Sequence, residues 1–180
     1  MCGNGVRAFV EYLRTEGLIE LEVGETVKIG TRAGVKTVAR TEEGYAIDMG
    51  PWSFIHGEAA REGGEDCLVS ARGLKTPRAG LSISMGNPHT VVMLGSDGKL
   101  DGLDLHSLPQ VSPAPVNGTN VEFVVPVDLD IESGAHVGAI RMRVHERGVG
   151  ETLSCGTGAC AAAAATRFWG GEEAPDEWLV

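Results

Sequence analysis

The sequence predicts an α+β fold, on three observations. Short strand-like runs separated by turn residues fill most of its 180 residues, two helical runs stand apart from them, and each helical run is opened by the same pattern. That pattern is Cys-Gly-x-Gly, at Cys2, Gly3, Asn4, Gly5 and again at Cys155, Gly156, Thr157, Gly158.

The elements follow in order. From Val6 the apolar positions Val6, Phe9, Val10 and Leu13 keep the i, i+3, i+4, i+7 spacing of an amphipathic helix, and Gly17 is a natural stop. Residues 18–23 and 26–29 read as strands joined across Gly24-Glu25, and residues 35–40 and 45–49 as strands around Glu43-Gly44. Gly50-Pro51 breaks this pattern, and the stretch to Asp66, with Gly57, Gly63 and Gly64 among polar residues, reads as a crossing segment or loop. The boundary placed there divides the chain into a first domain over residues 1–50 and a second over residues 51–180. Strands are then expected at 81–85 and 90–94, a turn at Asp97-Gly98, a Pro-rich loop at 108–118 and a strand at 120–125. Residues 137–144 alternate, with Ile140, Met142 and Val144 opposing Arg141 and Arg143, so one face of that strand is wet. The second helix, residues 158–169, is alanine-rich and stops at Gly170-Gly171. Alanines carry little bulk, so this helix can lie deep against strands with its N-terminus aimed at a shared cleft.

Composition narrows the function. A hydrophobic content of 42% in 180 residues suffices for a sizeable core. The formal charge of −10, with no Lys/Arg cluster, argues against nucleic-acid or anionic-membrane partners and otherwise serves solubility. No apolar run reaches the length of about 18 residues that a membrane helix needs, and Met1 opens no basic-then-apolar signal segment, so a soluble, cytoplasmic protein is expected. The four cysteines, Cys2, Cys67, Cys155 and Cys160, form no Cys-x-x-Cys pair and no disulfide framework. No metal is expected, because His89, His145, Cys155 and Cys160 lack zinc-ligand spacing. Cys67 and Cys160 read as small apolar core or helix-face residues.

Cys2 and Cys155 read differently, because each stands at a helix mouth. The first N–H groups of a helix have no intrahelical partner, and together with the macrodipole they attract an anion. The adjacent glycines allow close approach of a substrate, and the positive helix end favours thiolate over thiol. One pKa unit corresponds to about 1.4 kcal/mol, so a terminus supplying roughly 0.3–2 kcal/mol brings a thiol toward neutrality and little further. A thiol near its pKa serves as acid or base, and two of them suggest a paired acid and base.

Three segments carry a family resemblance. These are Met1-Cys2-Gly3-Asn4-Gly5-Val6-Arg7, Gly86-Asn87-Pro88-His89, and Glu146-Arg147-Gly148-Val149-Gly150-Glu151-Thr152 leading into Cys155-Gly156-Thr157-Gly158-Ala159-Cys160-Ala161. In this order the chain resembles the diaminopimelate epimerases. The related proline and hydroxyproline racemases typically show Cys-Gly-His-Gly in the first motif and lack the Glu-Arg-Gly-x-Gly-Glu-Thr run. The resemblance implies two pseudo-symmetric domains, each a curved, mostly antiparallel sheet around a central helix, with the active site in the cleft between them. It also implies cofactor-independent interconversion of LL- and meso-diaminopimelate, within bacterial lysine and cell-wall precursor synthesis. In that family one cysteine removes the α-proton as thiolate and the other delivers a proton to the opposite face, roles that fall on Cys2 and Cys155. The backbone of Gly3, Asn4, Gly156 and Thr157 matches the carboxylate cradle; Asn87, Asn120, Glu146 and Arg147 match substrate contacts; and His89 and Glu146 match residues that adjust the cysteine pKa values. Arg147 suits the distal carboxylate and Glu146 an ammonium group. No cofactor is implied, the partner is a small-molecule substrate, and a homodimer is the assembly the resemblance allows.

The resemblance runs through the middle of the family's longer chains. The expectation is therefore weak or absent activity, and exposed strand edges with an uncovered apolar face over residues 6–13. Three other readings stay open: a proline-racemase-like enzyme, an N-terminal-cysteine hydrolase formed on loss of Met1, and a non-catalytic unit whose helix mouths hold a carboxylate or phosphate.

Overall fold

A helix whose inward stripe is Val6 and Val10 needs an apolar floor, and the strands that follow supply it. In the computed structural model, which describes residues 2–95, 100–128 and 136–180, helix α1 (Gly3–Thr15) is followed by β1 (Thr26–Thr31), β2 (Gly34–Thr41) and β3 (Gly44–Ile47), an antiparallel meander. Val6, Val10, Leu21, Ile29 and Val38 form one buried cluster, with Leu13, Val27 and Tyr45 packed against it. Burying a side chain of this size contributes about 1.5–3 kcal/mol. The expectation of an uncovered face over residues 6–13 is corrected in part: Val6 and Val10 are covered, whereas Phe9, which the helical spacing assigns to the same face, is exposed together with Tyr12. Glu11 of α1 accepts from Arg14 at 2.9 Å and from the hydroxyl of Tyr45. These two donors hold its carboxyl down to about 2.

The strand expected at residues 18–23 does not form. Gly17, at φ +67°, turns the chain, and the amides of Leu18 and Ile19 close onto the carbonyl of Leu13, so they are spent on ending α1. Leu21 still reaches the core, tied by Arg40 Nη1 donating to its carbonyl at 2.7 Å. One hairpin turn falls between Thr31 and Gly34, in place of the Gly24-Glu25 turn expected, and the other, the one expected around Glu43-Gly44, between Thr41 and Gly44.

The chain divides into two compact units, residues Met1–Pro51 with Cys155–Thr157, and Trp52–Ser154 with Gly158–Val180. The second opens with β4 (Ser53–Phe54) and the short helix α2 (Gly57–Gly63). This corrects the loop expected before Asp66. Gly64, left-handed at φ +70°, ends that helix. The remaining strands are β5 (Cys67–Ser70), β6 (Arg78–Ser84), β7 (Pro88–Met93), β8 (Gln110–Ser112), β9 (Asn120–Pro126), β10 (Val137–Glu146), β11 (Gly150–Thr152) and β12 (Glu177–Leu179). They form one mixed sheet in the order β11-β10-β9-β7-β6-β5-β8, with β12 also on β10 and β4 also on β6. The pairs β7·β9 and β10·β12 are parallel and the others antiparallel. Sequence reading missed β5, β8, β11 and β12, all short; the turn expected at Asp97-Gly98 lies outside the described residues.

Helix α3 (Gly156–Gly170) begins two residues earlier than its alanine pattern suggests. Within the second unit Ala161, Ala162 and Ala165 are fully buried against Leu81, Ile83, Val91, Val124 and Ile140. On the opposite face of the sheet Val69, Val92, Leu105, Val121 and Phe123 make a separate core. The sheet is therefore covered on both faces, which is why β9 is buried along nearly its whole length. Gly73 shows how tightly the second core is closed. At φ +101°, a Cβ there would stand 2.4 Å from the carbonyl oxygen of Gly102. Gly73→Ala is expected to cost about 2–4 kcal/mol, read as a lowered urea midpoint.

Candidate active site

Both Cys-Gly-x-Gly patterns open helices. Cys2 is extended at φ −108°, ψ 111° and is the N-cap of α1, its Sγ accepting the Gly5 amide at 3.4 Å. A sulfur here takes the place that a Ser or Asp oxygen usually holds. Gly5 permits the contact, since even a built Cβ at that position lies 3.6 Å from Sγ. Asn4 accepts from Arg7 one turn on. Cys155 stands directly before Gly156, the first residue of α3, and its Sγ lies 3.6 Å from Thr157 Oγ1. Cys2 is exposed and Cys155 buried.

The two patterns meet within one unit. Residues Cys155–Thr157 group with Met1–Pro51, and a Cβ built on Gly156 would stand 3.8 Å from the Cα of Gly3. Neither cysteine is in a disulfide.

The second unit carries the other predicted residues. Asn87 is half-buried in the turn between β6 and β7, its carbonyl accepting the Met85 amide at 3.1 Å. Asn120 is buried and bridges two segments: Nδ2 donates to the Pro88 carbonyl at 3.1 Å, and Oδ1 accepts the Arg147 amide at 2.9 Å. It thereby pins the loop after β10 to the strand that carries His89. Glu146 is half-buried and accepts Thr152 Oγ1 at 2.5 Å, while Arg147 is exposed with Nη1 donating to the Asn117 carbonyl at 2.8 Å. His89 is completely buried, its Nδ1 2.7 Å from Oε1 of Glu122, also completely buried. Sequence reading missed Glu122, although one signal for it was present: a single carboxylate inside the apolar strand run from Asn120 to Pro126.

Cys67 and His145 are structural. Burial, and secondarily the charge of Asp66, pushes the Cys67 thiol up to about 12, so it stays protonated and inert. His145 is buried with Nδ1 donating to the Leu105 carbonyl at 2.8 Å. Among the described residues no cluster of three or more side chains could hold a metal ion, and no helix is long and apolar enough to cross a membrane.

The fold and the twin cysteine motifs define a class, and comparison with known proteins names the family. The family model for diaminopimelate epimerase matches residues 81–180. The chain is 38% identical over 176 residues to the diaminopimelate epimerase of Rhodococcus erythropolis (strain PR4 / NBRC 100887), covering 96% of this chain and 54% of that protein. It is 39% identical over 170 residues to that of Mycobacterium tuberculosis (strain ATCC 25618 / H37Rv), covering 92% and 52%. Among solved structures, a PhzF-family phenazine biosynthesis protein of Bacillus anthracis superposes with a TM-score of 0.56 at 18% identity, covering 98% of this chain and 60% of that one, a likeness of fold alone. The chain belongs to the diaminopimelate epimerase family. It spans about half the length of the curated relatives it matches.

Proposed function

We propose that this chain is a cofactor-independent epimerase that interconverts LL- and meso-diaminopimelate, an isomerase serving lysine synthesis, with Cys2 and Cys155 as its acid–base pair. The observation that carries the reading is the grouping of both Cys-Gly-x-Gly helix mouths in one unit, with Gly156 against Gly3. The reading includes two pseudo-symmetric domains. Its support is that each Cys-Gly-x-Gly helix has a sheet to pack on, α1 on β1–β3 and α3 on the larger sheet.

In the proposed reaction one cysteine, as thiolate, takes the α-proton: the Cα–H bond breaks and an S–H bond forms. The other, as thiol, gives its proton to the opposite face of the same carbon. Inversion needs a base and an acid on opposite sides, which two cysteines supply without moving the substrate. The developing carbanion pushes charge onto the α-carboxylate, and the backbone amides at the two helix mouths, those of Gly3, Asn4, Gly156 and Thr157, would receive it. Asn87, Asn120, Glu146 and Arg147 are proposed as substrate contacts, with Arg147 for a carboxylate and Glu146 for an ammonium group. His89 and Glu146 are proposed to tune the cysteines.

The test is α-proton exchange of LL-diaminopimelate in D₂O under reducing conditions, followed by NMR. Slow deuterium incorporation accompanied by the meso isomer is the expected result. A folded chain that binds diaminopimelate and leaves its α-protons in place would overturn the reading in favour of a carboxylate-binding unit.

A second expectation concerns the bridge. Asn120→Ala removes both of its hydrogen bonds and leaves a part-buried carbonyl and amide to find other partners, so it is expected to cost about 1–3 kcal/mol in urea unfolding.

A further inference from the structure

His89 and Glu122 form a buried polar pair for which the family motifs give only one member a role. Strand register explains how they meet. His89 on β7 is paired with Ile83 on β6 and with Asn120 on β9, and Glu122, two residues along β9, is paired with Val91 and Val144. Both side chains therefore emerge on the face of the sheet that α3 covers, among Leu81, Ile83, Val91 and Val124. Each is completely shielded from solvent, and Nδ1 and Oε1 are 2.7 Å apart. Their outer atoms, Nε2 of His89 and Oε2 of Glu122, are buried and have no hydrogen-bond partner among the described residues. Leaving such atoms unmatched costs about 1–3 kcal/mol each, so the arrangement is not one that stability alone would select.

We propose that Glu122 is a positioning residue for His89: the two side chains share a proton across the Nδ1···Oε1 contact, and that proton fixes Nε2 as an N–H donor. The inference rests on the epimerase reading for its use, though not for its chemistry. With its full complement of two protons the pair is either carboxylic acid plus neutral imidazole or carboxylate plus imidazolium. In both forms Nε2 bears hydrogen. Loss of one proton leaves a carboxylate accepting from Nδ1–H, and Nε2 becomes a lone pair. The first state is neutral overall and the second carries a net negative charge, which a dry interior disfavours.

The surroundings favour the neutral state. β6 presents only apolar side chains on this face, and Asn120 of β9 is uncharged. From β10 the ionisable neighbour is Glu146, whose charge further opposes ionisation of Glu122. α3 has Cys160 as its only titratable side chain before Arg167. Burial, the largest influence, lifts the Glu122 carboxyl above its usual range, against the opposite pull of His89. In the proposed reaction His89 is then held as a donor at Nε2, and does not act as a base.

The test is ¹⁵N NMR of the histidine-labelled chain without substrate, with His89→Gln used for assignment. A protonated Nε2 on His89 that persists from about pH 6 to about pH 8 is expected, although free imidazole loses its charge in that range. In Glu122→Gln the amide cannot release a proton, and protonating His89 would put a net positive charge in the interior. The His89 transition is therefore expected to move down by about two pH units or more. A wild-type spectrum showing hydrogen on Nδ1 and none on Nε2 at neutral pH would overturn the proposal, even if the variant fails to fold. So would a His89 transition that Glu122→Gln leaves unmoved. The spectrum is read without diaminopimelate, so absence of α-proton exchange would refute the epimerase reading and leave this one standing.

Discussion

Serine in place of Cys155, or of Cys2, is expected to slow α-proton exchange of diaminopimelate by about 10²–10⁴-fold, the usual contribution of a positioned acid or base. Each cysteine is base in one direction and acid in the other, so either substitution disables both directions. The two losses should not add. The Cys2→Ser, Cys155→Ser double variant is expected to fall no further than the poorer single variant, as groups acting as one unit do. The fold should survive both changes. Cys2 caps α1 through Sγ, and a serine hydroxyl is among the preferred residues for that place. Cys155 already faces the hydroxyl of Thr157, with which a serine can hydrogen-bond. Exchange followed by NMR beside circular-dichroism melting separates lost chemistry from lost structure. Wild-type exchange in either variant would contradict the paired-cysteine mechanism.

How much of this was legible in the sequence follows from which signals are local. Helix ends are local: Cys2 and Cys155 before glycine, Gly17 after α1, and Gly170-Gly171 after α3 marked both long helices nearly to the residue. Strands with strict alternation or a full apolar run, such as β6, β9 and β10, were legible for the same reason. The three-residue strands β8, β11 and β12 were not. They exist because a partner strand offers a free edge, and a run as short as Gly150–Thr152 has no period of its own. Residues 18–23 misled in the opposite way, with a strand composition whose amides the helix end had already taken. Motif spacing singled out His89 and Arg147 as candidates but not what holds them. Asn120 was legible as a polar residue at a strand start, yet its bridging of Pro88 and Arg147 depends on the parallel pairing of β7 with β9, which is a long-range fact. Glu122 is visible only once that pairing sets it beside His89.

The stability advantage of the wild-type chain over Glu122→Gln is expected to be greatest at acid pH and to shrink as pH rises. The sign follows from the raised carboxyl. Burial lifts Glu122 in the folded chain, and the Glu146 charge adds to it, outweighing the His89 contact. In the unfolded chain the same carboxyl titrates near 4.3. Below that both states hold the proton, and ionisation contributes no difference. Above it the unfolded chain releases its proton while the folded chain keeps it, so the native state binds more protons and stability falls with rising pH until the folded carboxyl itself ionises. Each pH unit of that window costs about 1.4 kcal/mol, and the glutamine variant, unable to ionise, is exempt. The contribution of His89 in the unfolded chain is common to both proteins and cancels in the difference. Urea unfolding of the two proteins from about pH 4 to about pH 8 gives that difference directly. A gap that widened with pH would mean that Glu122 gives up its proton more readily in the folded chain than in the unfolded one, and would contradict the raised carboxyl. A narrowing gap places the cost of a buried acid at the residue that presents His89 as a donor, where fold stability is given up for the protonation state of the site.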